Sequence, residues 1–368
     1  MHRQRRLQAQ GLLRDSGLDA LLVTHPPNIR YLTGLSASAG VAVLAADRCV
    51  LVVDFRYATA ARLLSDGAGL QIEVGEGSLD AAAVAAMKRL DVRRAGVEGD
   101  HLSLNRFNRI AGALAERSLP LAPADSTPAL VPTERLVERM RAVKDAGEVE
   151  ILREAGRRIS SVARRARDWV VAGASEIEVA AAVDAAMRAA GFERPAFETI
   201  VASGPNSALP HARPTPRRLA AGEGVVLDFG GVYDGYCVDL TRTLFLGVMP
   251  PDFRRMFDAV RAAQAAAIAA VMPGAAPADI DGAARSVLQA QGWGEAFGHG
   301  TGHGLGLEVH EEPRISKTAP AGEPLTAGMV FTIEPGAYVP GLGGVRIEDD
   351  VLVVGGGCER LTDVPIEL

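Results

Sequence analysis

From residue 17 to about 115, short apolar runs alternate with helically spaced ones. The runs Asp19–Val23, Gly40–Ala45 and Val50–Asp54 predict strands, and Tyr57–Ser65, Asp80–Leu90 and Leu104–Arg117 predict helices. Ahead of them, Leu7, Leu12 and Leu13 mark one face of a short helix. Strands alternating with helices predict a small α/β domain. The stretch SLPLAPADSTPALVP then carries Pro120, Pro123, Pro128 and Pro132. Proline at that density cannot run through a helix or a central strand, so a linker is expected there and the domains are taken as 1–125 and 126–368. Helical spacing resumes from Leu136 to Val170.

Beyond the linker the pattern repeats itself. VVAGASEIEVAAAVDAAMRAAGF (170–192) aligns with AVMPGAAPADIDGAARSVLQAQGW (270–293) at an offset of 101, setting Gly173 on Gly274, Glu178 on Asp279 and Gly191-Phe192 on Gly292-Trp293. His211-Ala-Arg-Pro then meets His310-Glu-Glu-Pro at 99. AGEGVVLDFGG (221–231) meets AGMVFTIEPGA (327–337) at 106, which puts Asp228 on Glu334. Matches in this order at nearly one offset imply two copies of one unit: helices, a histidine, then a strand bearing a carboxylate. Packed face to face, the copies bring their carboxylates together on a pseudo-twofold axis.

In the first copy, Val225–Phe229 leads through the turn GGVYDG into Tyr236–Phe245, and Asp-Gly in such a turn favours a hairpin. Asp228 and Asp239 can then face each other on paired strands. The second copy repeats the device with Met329–Glu334, a Pro/Gly-rich loop and Gly344–Val353, carrying Glu334 and Glu348. Between them, HGTGHGLGLEVHEEP holds His299, His303 and His310, and glycines around His303 allow close backbone approach.

A carboxylate taken singly is by default a surface or turn residue. Here Asp228 follows Val-Val-Leu, Glu334 follows Phe-Thr-Ile and Glu348 follows Ile347. Unpaired carboxylates in such apolar strands would protonate or disrupt the site. Two divalent cations cancel four negative charges, and one imidazole completes the ligand set. Oxygen-rich coordination with a single histidine suits Mn(II) or Co(II), with Zn(II) and Fe(II) as alternatives. A hydroxide bridging such a pair is a nucleophile near neutral pH. Arg346 stands two residues before Glu348, so a strand puts both on one face and makes Arg346 a cation that orients a carboxylate ligand. Thr241 stands in the same relation to Asp239, as hydrogen-bonding support. Cys237 shares that face and is read as packing.

Composition narrows the class. The 368 residues are 48% hydrophobic and 23% charged, the proportions of a globular chain of two or three domains. A net charge of −6 supplies no field that draws nucleic acid or an anionic membrane. Cys49, Cys237 and Cys358 are odd in number and form no CxxC spacing, which points to a reducing compartment. The opening MHRQRRLQAQGLLRDSG is basic but leads into no apolar stretch of signal-peptide length, and no run approaches the ~18 residues of a membrane span. A soluble, cytoplasmic protein is expected. His2, His25 and His101 have no partner pattern; Asp54, Arg56 and Tyr57 are read as packing or a subunit contact.

ALPHARP, the Asp pair in LDFGGVYDGYCVDLTRT, HGTGHGLGLEVHEEP, TIEPGAY and GGVRIEDD resemble the pita-bread metallopeptidases, which include methionine aminopeptidase, aminopeptidase P and prolidase. NIRYLTG and LVVDFRY resemble the creatinase-type N-terminal domain of the Xaa-Pro peptidases, so the resemblance covers nearly the whole chain. It implies an α/β creatinase-like domain followed by an α+β pita-bread catalytic domain containing the internal pseudo-twofold repeat. Carried over residue by residue, it implies Asp228, Asp239, His303, Glu334 and Glu348 as metal ligands, with His211, His299 and His310 lining the substrate site. It also implies a homodimer. Methionine aminopeptidases lack the N-terminal domain. A non-catalytic or creatinase-like relative is expected to lose ligands, and this chain keeps all five.

A peptide bond before proline is a tertiary amide with no N–H, and its ring nitrogen must be protonated before it leaves. The resemblance implies attack by the bridging hydroxide on the carbonyl before proline, with His211 and His310 stabilising the oxyanion or the scissile amide. Glu334 would shuttle the proton to the leaving nitrogen. Arg314 in PRIS, just after His310, is set to hold the C-terminal carboxylate of a dipeptide and resembles the prolidases there. An Xaa-Pro dipeptidase acting on short proline-containing peptides is therefore expected. The alternative is aminopeptidase P, which must leave that side open for longer peptides.

Overall fold

The computed structural model describes residues 1–64, 69–116, 129–320 and 322–368. They form two compact units, Met1–Arg141 and Ala142–Leu368. The expected boundary at 125/126 and most of the proline-rich stretch lie outside the described residues, as do Ser65 and Arg117 at the ends of two expected helices.

The first unit runs α1 (His2–Asp15), β1 (Ala20–Val23), α2 (Pro26–Thr33), β2 (Val41–Ala45), β3 (Cys49–Val53), α3 (Ala58–Leu63), β4 (Leu70–Val74), α4 (Leu79–Arg89), β5 (Arg94–Glu98), α5 (Leu104–Ala115) and β6 (Ala129–Thr133), with α6 (Leu136–Ala142) at its end. Its strands form one mixed sheet in the order β4-β3-β2-β1-β5-β6. Leu22, Val43 and Val52 of the sheet pack against Val84, Met87 and Ile110 of the helices. Each such side chain contributes roughly 1.5–3 kcal/mol by leaving water.

Three elements here escape the hydrophobic pattern for identifiable reasons. Two prolines open α2, where their fixed φ suits the first helical turn, and Gly34 (φ 84°) closes it. In β5, Gly96 replaces a β-branched residue because an added Cβ would lie 2.9 Å from Leu18 and 3.0 Å from Thr133. The linker expected through Pro132 is corrected at its end: Ala129–Thr133 is a strand. It lies at the sheet edge, where a proline can be accommodated.

The second unit continues with α7 (Ala146–Ala163), α8 (Glu176–Ala189), β7 (Arg194–Pro195), β8 (Ile200–Ser203), β9 (Gly224–Tyr233), β10 (Tyr236–Phe245), α9 (Pro251–Ala270), α10 (Pro277–Ala290), β11 (Gly302–Gly304), β12 (Glu311–Ile315), β13 (Val330–Ile333), β14 (Gly336–Val339), β15 (Gly343–Arg346), β16 (Asp349–Val354) and β17 (Gly357–Arg360). The helix expected from Leu136 to Val170 is broken after Ala142. Asp145 starts a new one there, accepting from the N–H groups of Gly147 and Glu148 while Glu148 accepts from its own N–H, a capping box contributing about 1 kcal/mol.

Both halves place helices beside an antiparallel sheet: β10-β9-β7 with β8 on β9, then β12-β11-β13-β16-β17. The β9–β10 hairpin turns on Asp234 (φ 45°) and Gly235 (φ 74°), the positive pair a two-residue turn requires. Its register sets Asp228 opposite Thr241 and Asp239 opposite Gly230, so both carboxylates share a face with Thr241. The second hairpin is split. The expected strand Gly344–Val353 breaks at Ile347–Glu348, so that β14 pairs β15 while β13 pairs β16. At the break the Glu348 N–H leaves its own sheet and donates to Thr241 O in the first half, at 3.1 Å. Met256, Val260, Ile280, Leu288, Phe331 and Ile347 form the core behind this sheet. Among the described residues, no helix is long and apolar enough to cross a membrane.

Candidate metal centre

Asp239, His303 and Glu348 present ligand atoms that all lie within 4.8 Å of one another. Glu334 joins them, its Oε1 lying 3.5 Å from His303 Nε2. Asp228 belongs to the same electrostatic cluster, acting on Asp239, Glu334 and Glu348. Asp228, Asp239 and Glu348 are buried; Glu334 and His303 keep partly exposed edges. Close backbone approach brings His303 into the cluster. A Cβ on Gly302 would overlap Thr332 O, and one on Gly304 would overlap Glu312 O.

The cluster is electrostatically incomplete as protein alone. Burial, then the neighbouring carboxylates, push Asp239 and Glu348 well above the usual range, and burial pushes Glu334 up to about 8. Among the described residues, Asp228 Oδ1 and Asp239 Oδ1 are buried without a hydrogen-bond partner. Orphaned carboxylate oxygens converging beside a neutral imidazole fit divalent cations. Burial, then His310, lowers His303 to about 4. Its Nδ1 lies 3.1 Å from Gly304 O, and a proton donated there leaves Nε2 bare toward Asp239 and Glu334.

The carboxylates are braced across the two halves. Arg346 Nη2 donates to Asp228 Oδ2, not to Glu348 on its own segment, and Arg346 also reaches Thr241 Oγ1 (3.3 Å), Pro210 O (3.1 Å) and the Tyr338 hydroxyl (2.7 Å). Burial opposes its charge, but Tyr338, Asp228, Glu334 and Glu348 outweigh that and hold it protonated. Thr241 Oγ1 donates to Glu348 Oε2, so the hydrogen-bonding support expected of Thr241 goes to the carboxylate in the other half. Asp350 Oδ2 accepts from the Asp239 N–H at 3.1 Å. Burial pushes the Cys237 thiol up to about 12, leaving it an inert packing group.

The outer residues divide. His310 packs edge-on against His303, ring centroids 4.3 Å apart, and Arg314 lies directly across from His303 in the β11–β12 register. The side chains of His310, Arg314 and His211 are exposed. Burial, then Arg314 and His211, lowers the His310 pKa. His299 has both ring nitrogens engaged: Nδ1 lies 2.8 Å from Gly300 O, and Nε2 lies 3.0 Å from the Tyr338 hydroxyl. Burial, then Arg346, lowers its pKa to about 4.

Several supports were not singled out by sequence reasoning, though Tyr338, Arg242 and Thr301 stand within the motifs. Tyr338 links Arg346 to His299. Arg242 donates to Thr241 O, Glu348 O and Asp349 Oδ1, fixing the backbone beneath Glu348. Buried Asp281 accepts from Thr301 N–H (3.1 Å) and Oγ1 (2.8 Å), while Arg285 donates to Phe297 O and His299 O. A signal for Asp281 exists: it is a carboxylate beside the buried stripe Ile280, Ala284 and Leu288 of α10.

Residues 150–354 match the model of metallopeptidase family M24, and residues 5–143 match that of the creatinase/prolidase N-terminal domain. The chain belongs to family M24. It is 37% identical over 359 residues to the uncharacterized peptidase YqhT of Bacillus subtilis, covering 98% of each chain. The structure of an Xaa-Pro dipeptidase from Bacillus anthracis superposes with a TM-score of 0.92 at 33% identity, covering 100% of this chain and 99% of that one. An X-Pro aminopeptidase from Thermotoga maritima superposes at 0.86 and 32%, covering 98% and 99%. The M24 peptidase thus joins a creatinase-type domain to a pita-bread catalytic domain, and its family implies divalent metal ions.

Proposed function

We propose that this metallopeptidase is an Xaa-Pro dipeptidase holding two divalent cations on Asp228, Asp239, His303, Glu334 and Glu348. The observation that carries the dipeptidase reading is the β11–β12 register, in which Arg314 lies directly across from His303 with its side chain exposed. A cation one cross-strand pair from a metal ligand suits a substrate whose C-terminal carboxylate lies just beyond the scissile bond. The B. anthracis neighbour's name supports this reading; the T. maritima neighbour's supports the alternative, an aminopeptidase acting on longer peptides.

When bound, the cations supply Lewis acidity and a water acidic enough to be a nucleophile near neutral pH. The oxygen-rich set favours Mn(II) or Co(II), with Zn(II) next. His303 stays neutral and offers Nε2 as a ligand. Arg346 and Thr241 hold Asp228 and Glu348 in orientation. Glu334, at the partly exposed edge of the set, would take on its carboxylate the proton that the attacking water gives up and hand it to the prolyl nitrogen, which cannot leave unprotonated. Neutral His310 donates an N–H to the oxygen that gains charge, with His211 at the same exposed side. His299 contributes its ring, since its nitrogens are committed to Gly300 and Tyr338. The same reading takes the protein as a cytoplasmic homodimer.

The test is hydrolysis of Ala-Pro beside Ala-Pro-Ala by wild type and Arg314→Ala. Cleavage confined to the dipeptide is expected, with KM for Ala-Pro rising about tenfold in the variant and kcat nearly unchanged. Efficient cleavage of the tripeptide makes the enzyme an aminopeptidase. Silence on both substrates with metal bound overturns the proline assignment.

A further inference from the structure

Glu176, the first residue of α8, is fully buried and lies outside the metal set. Its oxygens accept from Ser203 N–H and Oγ (2.8 Å each), Asn206 Nδ2 (3.0 and 3.1 Å), and Thr215 N–H (3.0 Å) and Oγ1 (2.6 Å). Helix capping does not explain this, because Ser175 and Glu178 already form a complete capping box at the same end. The donors come from both ends of segment 203–215, which carries Leu209-Pro210-His211. One carboxylate therefore fastens the segment at both ends. Its middle is tied to β15: Ser207 Oγ accepts from the Gly344 N–H at 2.9 Å, and Pro210 O accepts from Arg346. His211 follows immediately, with an exposed side chain and a backbone that has been given one place to be.

The second half of the repeat uses the same device. Asp281 of α10 accepts from the Thr301 N–H and hydroxyl, and its partner Arg285 holds His299 O. In each half, a buried helix carboxylate anchors the segment bearing a histidine. A charged acceptor suits the task, since hydrogen bonds to a carboxylate are roughly twice as strong as neutral ones. Burial works against that charge, but the Thr215, Ser203 and Asn206 donors outweigh it and keep Glu176 below the usual range.

We propose that Glu176 is a positioning residue for His211, acting on turnover through the 203–215 segment. This rests on the reading above that His211 acts on the substrate. The experiment is a double-mutant cycle of Glu176→Gln and His211→Ala, following Ala-Pro hydrolysis, bound metal and the circular dichroism spectrum. Glu176→Gln is expected to lower kcat about tenfold, with KM and metal content nearly unchanged. The double variant is expected to lose no more than His211→Ala alone, because a residue acting only through His211 then has nothing to act on. A Glu176→Gln loss that multiplies the His211→Ala loss, or no loss at all, overturns the proposal while leaving the role of His211 intact. An unchanged kcat in His211→Ala removes that role and this proposal with it. Should Glu176→Gln fail to fold, Thr215→Val takes its place in the cycle. It is expected to give about a threefold loss, absent in the His211→Ala background and restored by Thr215→Ser; a loss that persists in that background overturns the proposal.

Discussion

Arg346 donates to Asp228, a carboxylate on the opposite half of the repeat, instead of to Glu348 two residues along its own segment. Thr241 returns the brace from the first half to Glu348. The two halves are thus cross-linked at the cluster itself. Replacing Arg346 by Lys keeps the charge but removes the planar fork that reaches Asp228, Tyr338, Thr241 and Pro210 O at once. Arg346→Lys is expected to cut metal affinity and kcat/KM by about 10–100-fold, measured by metal titration and Ala-Pro turnover. Activity within about twofold of wild type would show that charge alone suffices.

His303 and His310 pack edge to face, yet His303 is the one that points a bare nitrogen at the carboxylates. His303→Ala is expected to lose metal together with activity. His310→Ala is expected to keep its metal while kcat falls by about 10²–10³-fold, the cost of removing a single donor to a developing oxyanion. Elemental analysis of both purified variants separates the two roles, and metal loss in His310→Ala would contradict the assignment.

Metal removal has a pH signature. A carboxyl whose folded pKa is raised holds its proton more tightly in the folded protein than in the unfolded chain. Its stabilisation is complete below the ordinary carboxylate value and is lost as pH rises through the folded one. For Glu334 that window runs from 4.5 to about 8, and Asp239 and Glu348 shift in the same direction. The melting-temperature gap between metal-loaded and metal-stripped protein is therefore expected to widen from about pH 5 to about pH 8. A gap that stays constant would mean that the ionised carboxylates do not repel one another in the metal-free fold.

Beneath Glu348, buried Asp349 is paired with Arg242 at 2.8 Å and also accepts from Gln264 and Thr362. Removing the arginine strands a carboxylate that is fully enclosed. Arg242→Ala is expected to destabilise the protein by about 3–5 kcal/mol in urea unfolding, with bound metal falling as Glu348 loosens. A change below about 1 kcal/mol would mean that other donors suffice for Asp349.

The carboxylate cluster was readable because Asp228, Asp239, Glu334 and Glu348 sit in apolar contexts that make them conspicuous. The strands Asp19–Val23, Gly40–Ala45 and Val50–Asp54 were readable from continuous apolar runs, and agree with β1, β2 and β3 within a residue at each end. What escaped depends on tertiary contact. Gly96 pairs with β1 and β6 at a strand position where Leu18 and Thr133 leave no room for a Cβ, and nothing in the local pattern shows that crowding. The break at Ile347–Glu348 exists because Thr241 O lies across from the Glu348 N–H, and no alternation within GGVRIEDD announces it. Which carboxylates Arg346 and Thr241 hold, Asp228 and Glu348, was not readable for the same reason: spacing along one strand says nothing about a second strand that crosses beside it. Glu176 lay hidden as an ordinary helix-start acid, whereas Asp281 stood beside the apolar stripe of α10 and was passed over.

The most direct test is proline release from Ala-Pro by the full chain, stripped with chelator and then titrated with Mn(II). The account expects no activity in the stripped protein and a rise that saturates near about two equivalents, absent in Asp239→Asn. Activity that survives complete stripping, or persists undiminished in Asp239→Asn, would contradict a dinuclear centre on these five residues.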